Sequence, residues 1–169
     1  QLDTSLVFEC PFTPLASRSK RAVHALERRE AIPAAASVTS LKEGMSAARN
    51  MLNAASIMDD FDFDSRLAAG SAKPVSAQYS RLVWVDDALI GIVLVAPTPV
   101  DAVYEIPVRF IAPSYRQTWV NTLLIHSCVQ YGEAYAAEAI RFNANPEMHQ
   151  ETISLANSIS GQHIATSHR

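Results

Sequence analysis

The residues with the clearest chemical meaning stand in one stretch, Val103 to Leu124, VYEIPVRFIAPSYRQTWVNTLL. Val103, Tyr104, Ile106, Val108, Phe110 and Ile111 are β-branched, aromatic or aliphatic, in a run with few helix formers, so the segment is expected to be a strand. Pro113 ends it, because proline has no N–H to give a ladder. After a short turn, Ser114 to Gln117, the residues Val120, Leu123, Leu124 and Cys128 recur at helical spacing. At a strand–turn–helix corner the first N–H groups of the helix have no internal partner, and the helix dipole adds positive charge. Such a corner holds anions, commonly phosphate, and Arg116 can add a charged fork. Glu105, upstream in the same strand, offers the complementary chemistry. Val103, Tyr104 and Ile106 around it would desolvate the carboxylate, which is the setting of a general base that takes a proton from an ammonium group. The alternative is a strand glutamate on a wet face.

The segment Ile111-Ala112-Pro113-Ser114-Tyr115-Arg116 resembles the end of the fourth strand of the GNAT N-acetyltransferases, which often reads V-x-P-x-Y-R. In that family the signature (Q or R)-x-x-G-x-(G or A) follows and cradles the pyrophosphate of acetyl-CoA. Arg116 takes its first position, and Trp119 and Asn121 stand where the family has its small residues. The resemblance implies a cofactor site on Arg116, Gln117, Thr118, Trp119, Val120 and Asn121, with acetyl-CoA as the cofactor. It also implies a fourth strand that splays from the fifth, with pantetheine in the gap and main-chain groups near Phe110 and Ala112 facing it. Pro107 fits a bulge or splay, since it cannot complete a ladder, or else it marks an edge. Acetyl transfer to an amine requires a deprotonated amine, a polarised thioester and a proton for the thiolate. The resemblance makes Glu105 the base. The family's usual acid, a tyrosine about four residues before a glycine in the last helix, is absent: counting back from Gly161 gives Asn157. Tyr131 and Tyr135 lie on another helix and read as packing or surface residues, and Asn145 as a helix cap.

The elements that must position these groups follow from the rest of the chain. Leu6 to Cys10 is a first strand, and a helix is expected over Leu15 to Glu30, capped by Thr13 or Ser17, with a solvated charged face. Pro33 and the alanines after it read as a connector. Ser40 then caps a helix whose stripe is Leu41, Met45, Ala48, Leu52 and Ala55, with Glu43 completing a capping box. Asp59 to Asp64, DDFDFD, lacks the glycine and closing glutamate of a calcium loop. It is a solvated loop or an acidic rim for an amine substrate. Arg81–Val85 and Leu89–Ala96 form a hairpin about Asp86-Asp87, and the unbroken apolar run of its second strand implies burial on both faces. The organising strand and its helix, to about Ala137, follow. Ile140–Asn143 is a strand, Asn145-Pro146-Glu147 starts a helix ended by Gly161, and Gln162–Thr166 is a last strand. The fold class is α/β (α+β): a mixed, mostly antiparallel sheet flanked by helices, in the order β-α-α-β-β-β-α-β-α-β, as one domain over residues 1–169. The GNAT pattern has one further strand at the end, so truncation or a partner at that edge is expected.

Composition bounds the function. With 169 residues, 49% hydrophobic and 18% charged, the chain can bury a real core. Its net charge of −3 argues against nucleic acid as a main partner. No apolar run approaches membrane-spanning length, and no signal-peptide pattern opens the chain. Gln1 in first place points to a processed product or a partial chain. Cys10 and Cys128 read as free thiols in a reducing compartment. The five histidines have no ligand spacing, so no metal is expected, and His126 reads as a hydrogen-bonded structural residue. Two functions follow. One is an acetyl-CoA-dependent N-acyltransferase acting on an amine-bearing small molecule or protein in the cytoplasm. The other is a catalytically weakened relative serving as a structural or binding subunit, as a homo-oligomer or in a larger assembly such as a virion.

Overall fold

The computed structural model describes residues 4–55, 62–67, 70–71, 74–144 and 162–168. Its centre is strand β4, Ala88–Pro97, whose residues Ile90 to Ala96 are all buried, as the unbroken apolar run requires. β3, Arg81–Val85, pairs with it antiparallel across the Asp86-Asp87 turn, and Asp86 takes the left-handed conformation there (φ 52°). β5, Val103–Ile111, pairs antiparallel on its other side. Among the described residues seven strands form one sheet, in the order β2-β3-β4-β5-β6-β1-β7. β1 is Thr4–Pro11, β2 Ala36–Ser40, β6 Ala139–Ala144 and β7 Gln162–His168. Every neighbouring pair is antiparallel except β5 and β6.

Two core clusters lie on the two faces. Helices α1, Phe12–Arg28, and α4, Trp119–Ala134, cover one face through Phe12, Leu15, Val120, Leu124 and Cys128 over Val83, Val93, Val95 and Tyr104. Helices α2, Met45–Ala54, and α3, Phe63–Leu67, cover the other through Ala48, Leu52 and Phe63 over Leu82, Ile92, Leu94 and Val108. α4 approaches β4 most closely at Gly91, where a Cβ would stand 2.9 Å from Cγ1 of Val120. α1 approaches α4 at Gly132, where the Phe12 ring fills the place of a side chain.

The antiparallel hairpin, its neighbour β5 and the helix crossing back over the sheet stand as the sequence implies. Several local expectations differ. Ala36–Ser40 is a strand, not a connector. It is an edge strand whose residues are all exposed or half-buried, so it carries no apolar pattern. α1 begins at Phe12 with no side-chain cap, so neither Thr13 nor Ser17 caps it. The Phe12 N–H is satisfied instead by the Glu138 carbonyl, at 2.9 Å. The capping box of Ser40 and Glu43 is present, but it caps a single 3₁₀ turn, Leu41–Glu43, ahead of α2. β1 lies between β6 and β7 and pairs with both, and β7 is an edge of the sheet among the described residues. The expected helix after Asn145 lies outside the described residues, as do Asn157, Gly161 and the start of the acidic run.

Candidate functional site

The site is shaped by Pro107. β4 and β5 pair as Leu94 with Val108 but as Ala96 with Glu105, so β5 has one extra residue, a bulge, at Ile106–Pro107. The bulge reverses the alternation of side chains. Tyr104 and Ile106 face α4, and after the bulge Val108 and Phe110 face α2 and α3. Glu105 and Phe110, odd and even in sequence, therefore share one face.

Past the same point β5 leaves β6. Their parallel pairing runs from Val103–Ala139 to Ile106–Phe142 and stops, although both strands continue. The splay expected at Pro107 is present. Which main-chain groups face the opening follows from the ladder. The Ala112 N–H bonds the Ile90 carbonyl at 2.8 Å, so by alternation Phe110 is the next residue bonded to β4, and the peptide groups of Arg109 and Ile111 turn toward the gap. Phe110 and Ala112 themselves are committed to β4, and the Ile111 carbonyl accepts from Arg116.

Glu105 is half-buried. Its Oε1 accepts a hydrogen bond from Nη2 of Arg66, on α3, at 2.9 Å. Sequence spacing gives no sign of this partner, which α3 brings from another part of the chain. The carboxylate thus sits beside a cation, while Tyr104 and Ile106, expected to desolvate it, face the other side of the sheet. Of the acidic run, Asp64 is paired with Arg49 at 2.6 Å, and Asp62 accepts the Ser65 N–H at 3.1 Å.

At the corner, Arg116 is exposed. Its guanidinium lies over the Phe110 ring at 5.8 Å, and its Nε donates to the Ile111 carbonyl at 3.2 Å. Gln117 is exposed with φ 59°, a left-handed turn residue. Thr118 is the N-cap: its Oγ1 accepts from the Val120 N–H and donates to the Tyr115 carbonyl at 2.5 Å. Val120 is fully buried against Gly91. Trp119 is half-buried and packs edge-to-face on Tyr115, ring centres 6.4 Å apart, against the main core. Asn121 is held by Arg109, whose Nη1 donates to its Oδ1 at 2.5 Å. The N–H groups of Trp119 and Asn121, in the first turn of α4, are among those a helix leaves without an internal partner.

The remaining titratable groups are structural. Burial pushes the Cys10 thiol up to about 11 and the Cys128 thiol up to about 12, and both are free. Tyr104 donates to the Cys128 carbonyl at 3.2 Å. Tyr131 is buried and Tyr135 largely exposed, matching their reading as packing and surface residues. No group of three metal-ligating side chains occurs among the described residues, and no helix there is long and apolar enough to cross a membrane. His126 is half-buried, with Nδ1 3.4 Å from Oγ of Ser19. Burial lowers its pKa. Glu27 and Glu133 oppose the shift, and His24 and Lys20 add to it. The unfolded chain therefore binds this proton more readily than the folded one. The stability it contributes is intact above the ordinary histidine value of about 6.5 and is lost as pH falls through and below it. Denaturant unfolding measured from pH 7 to pH 5 should show this decline, and His126→Gln should flatten it. An unchanged slope in the variant would assign the decline to other groups.

No family model matches the chain, and no curated protein is similar to it. Solved structures are similar in fold. A functionally unknown conserved protein from Staphylococcus epidermidis is 10% identical, with a TM-score of 0.60 over 99% of this chain and 60% of its own. A tandem GNAT protein from the clavulanic acid biosynthesis pathway is 12% identical, with a TM-score of 0.59 over 99% of this chain. This chain spans 54% of that one's length. An aminoglycoside acetyltransferase from an uncultured soil metagenomic sample is 10% identical, with a TM-score of 0.53 over 74% of this chain and 87% of its own.

Proposed function

We propose that this chain, whose fold is that of the GNAT N-acetyltransferases, is an N-acyltransferase that moves an acetyl group from acetyl-CoA to a primary amine. The observation that carries the reading is the opening between β5 and β6 past Ile106, with an open helix start and Arg116 at one end and Glu105 at the other. In this reading Arg116 and the N–H groups of Gln117, Trp119 and Asn121 hold the pyrophosphate. The main-chain groups of Arg109 and Ile111 line the pantetheine arm beside Phe110 and Ala112. Acetyl-CoA, when bound, supplies the activated thioester. Glu105 keeps Oε2 for the incoming ammonium while Arg66 holds Oε1. It would take the ammonium proton, and the freed amine would accept the acetyl group as its second N–H proton goes to the departing thiolate, leaving an amide and a free thiol. The substrate class, an amine-bearing small molecule or protein, follows from an anionic base at the mouth of the gap and is in keeping with the aminoglycoside acetyltransferase of similar fold.

Calorimetry with acetyl-CoA tests the cofactor site. Saturable binding with a matching rise in Tm is the expected result. Absence of binding in the parent, with binding gained in Trp119→Gly, Asn121→Gly, would point to a decayed site in a binding or structural subunit. Absence in both folded proteins would remove the corner from any cofactor role.

A further inference from the structure

We propose a second ligand site, distinct from the opening between β5 and β6: the cleft between β2, β3 and α4 binds a small organic anion carrying a carboxylate or phosphate group. The cleft lies on the α4 face of the sheet, whereas Glu105 lies on the α2 and α3 face, so the two sites do not share a surface. It is an open groove with a volume of about 520 Å³, within the range of roughly 300–1,000 Å³ common for small-molecule sites.

Charge selects the ligand. Arg81 and Lys42 line the cleft, and neither forms an ion pair with a carboxylate among the described residues. The single lining carboxylate, Glu43, is already engaged: its Oε2 accepts from the N–H and the hydroxyl of Ser40 at 3.0 and 3.2 Å. Two cations against one carboxylate leave the lining net positive, with neither cation ion-paired among the described residues. Arg81 is also held in place. Its Nη1 donates to the Gln78 and Ser80 carbonyls, its Nη2 donates to Oε1 of Gln130 at 2.9 Å, and its guanidinium lies 5.9 Å from the Tyr79 ring centre. That pattern leaves Nε–H and one Nη2–H without an acceptor among the described residues, two donors of the planar fork that suits carboxylate and phosphate. A fork fixed beforehand loses little freedom on binding. Val38 and Leu123 give the cleft apolar walls, which favour an anion with an organic body over a bare inorganic ion, and His126 borders it as a built-in reporter.

The experiment uses three probes of one size at constant ionic strength: benzoate, phenyl phosphate and the neutral benzyl alcohol. His126 ring resonances and thermal unfolding are followed in the full chain. Saturable shifts and a raised Tm with benzoate, phenyl phosphate or both, and none with benzyl alcohol, are expected. The tighter of the two anions identifies the ligand class. Arg81→Gln should weaken binding by about tenfold or more, the scale of a lost charge-assisted pair. Lys42→Gln, at an exposed position, should weaken it several-fold with no loss of fold. No saturable response to either anion, an equal response to benzyl alcohol, or unchanged affinity in folded Lys42→Gln and Arg81→Gln would each overturn the proposal.

Discussion

Glu105→Gln is expected to lower turnover of acetyl-CoA and a primary amine by about 10²–10⁴-fold, the usual contribution of a general base, with acetyl-CoA affinity nearly unchanged. The split follows from position. Glu105 lies before the bulge at Ile106–Pro107, and the cofactor corner lies beyond it at Arg116 to Asn121. The residue is therefore placed for the amine and not for the phosphates, so its loss removes a transition-state interaction and spares binding. The ion pair with Arg66 requires its own control, because glutamine also removes the charge opposite that guanidinium. Arg66→Gln breaks the same pair and keeps the carboxylate, so it should retain most of the turnover. Steady-state rates at saturating substrate, with calorimetry for acetyl-CoA on the same folded variants, provide the measurement. Unchanged turnover in Glu105→Gln would make Glu105 a strand residue with a structural partner. An equal loss in both variants would place the effect in the pair and not in a base.

The largest expected effect on stability is at Gly132. In an exposed helix interior, alanine in place of glycine gains about 1 kcal/mol. Here the new Cβ would overlap Cε2 of Phe12 and lie 2.7 and 2.8 Å from its Cζ and Cδ2. The ring has little room to retreat, since it is itself buried and packs edge-to-face on Tyr104, 6.3 Å between centres. Overpacking of this kind costs about 1–3 kcal/mol and occasionally more. A net loss of about 2 kcal/mol corresponds to a Tm lowered by roughly 4–8 °C in a chain of this length. Phe12→Leu leaves a cavity by itself but makes room for the methyl. The double variant should therefore be more stable than the two separate losses add up to, a coupling that thermal or urea unfolding can measure. A stabilised Gly132→Ala would show that α1 and α4 can move apart at little cost.

Much of this architecture was legible because its signals were local. The apolar run Ile90 to Ala96 could only be a strand buried on both faces, and the Asp86-Asp87 pair between two such runs implied a hairpin. Pro107 pointed to a bulge or splay, or else an edge, since a residue without an N–H cannot continue a ladder, and the bulge is what the pairing with β4 shows. What stayed hidden depended on distant partners. β2 is made of small and polar residues around one valine, and only its pairing with β3 makes it a strand. The partner of Glu105 comes from α3, and no spacing rule links Arg66 to it. The helix start at Phe12 has no capping side chain because the cap is a carbonyl from beyond α4. The orientation of Trp119 was open for the same reason: either direction suits the sequence, and the choice is made by Tyr115.

The place of β1 between β6 and β7 has a consequence for how the molecule comes into being. Leu6 pairs with Ala144 on one side and with Thr166 on the other, so β1 has both of its neighbours far from it along the chain. Until they arrive, β1 carries unpaired N–H and C=O groups on two sides, beside apolar residues such as Phe8 that are later buried. Contacts of such sequence separation slow folding, because a long loop must close before any pairing repays it. The hairpin of β3 and β4 joins neighbours in sequence and can form alone, whereas β1 must wait for β6 and β7. For that interval β1 is a bare strand, open to pairing with another chain.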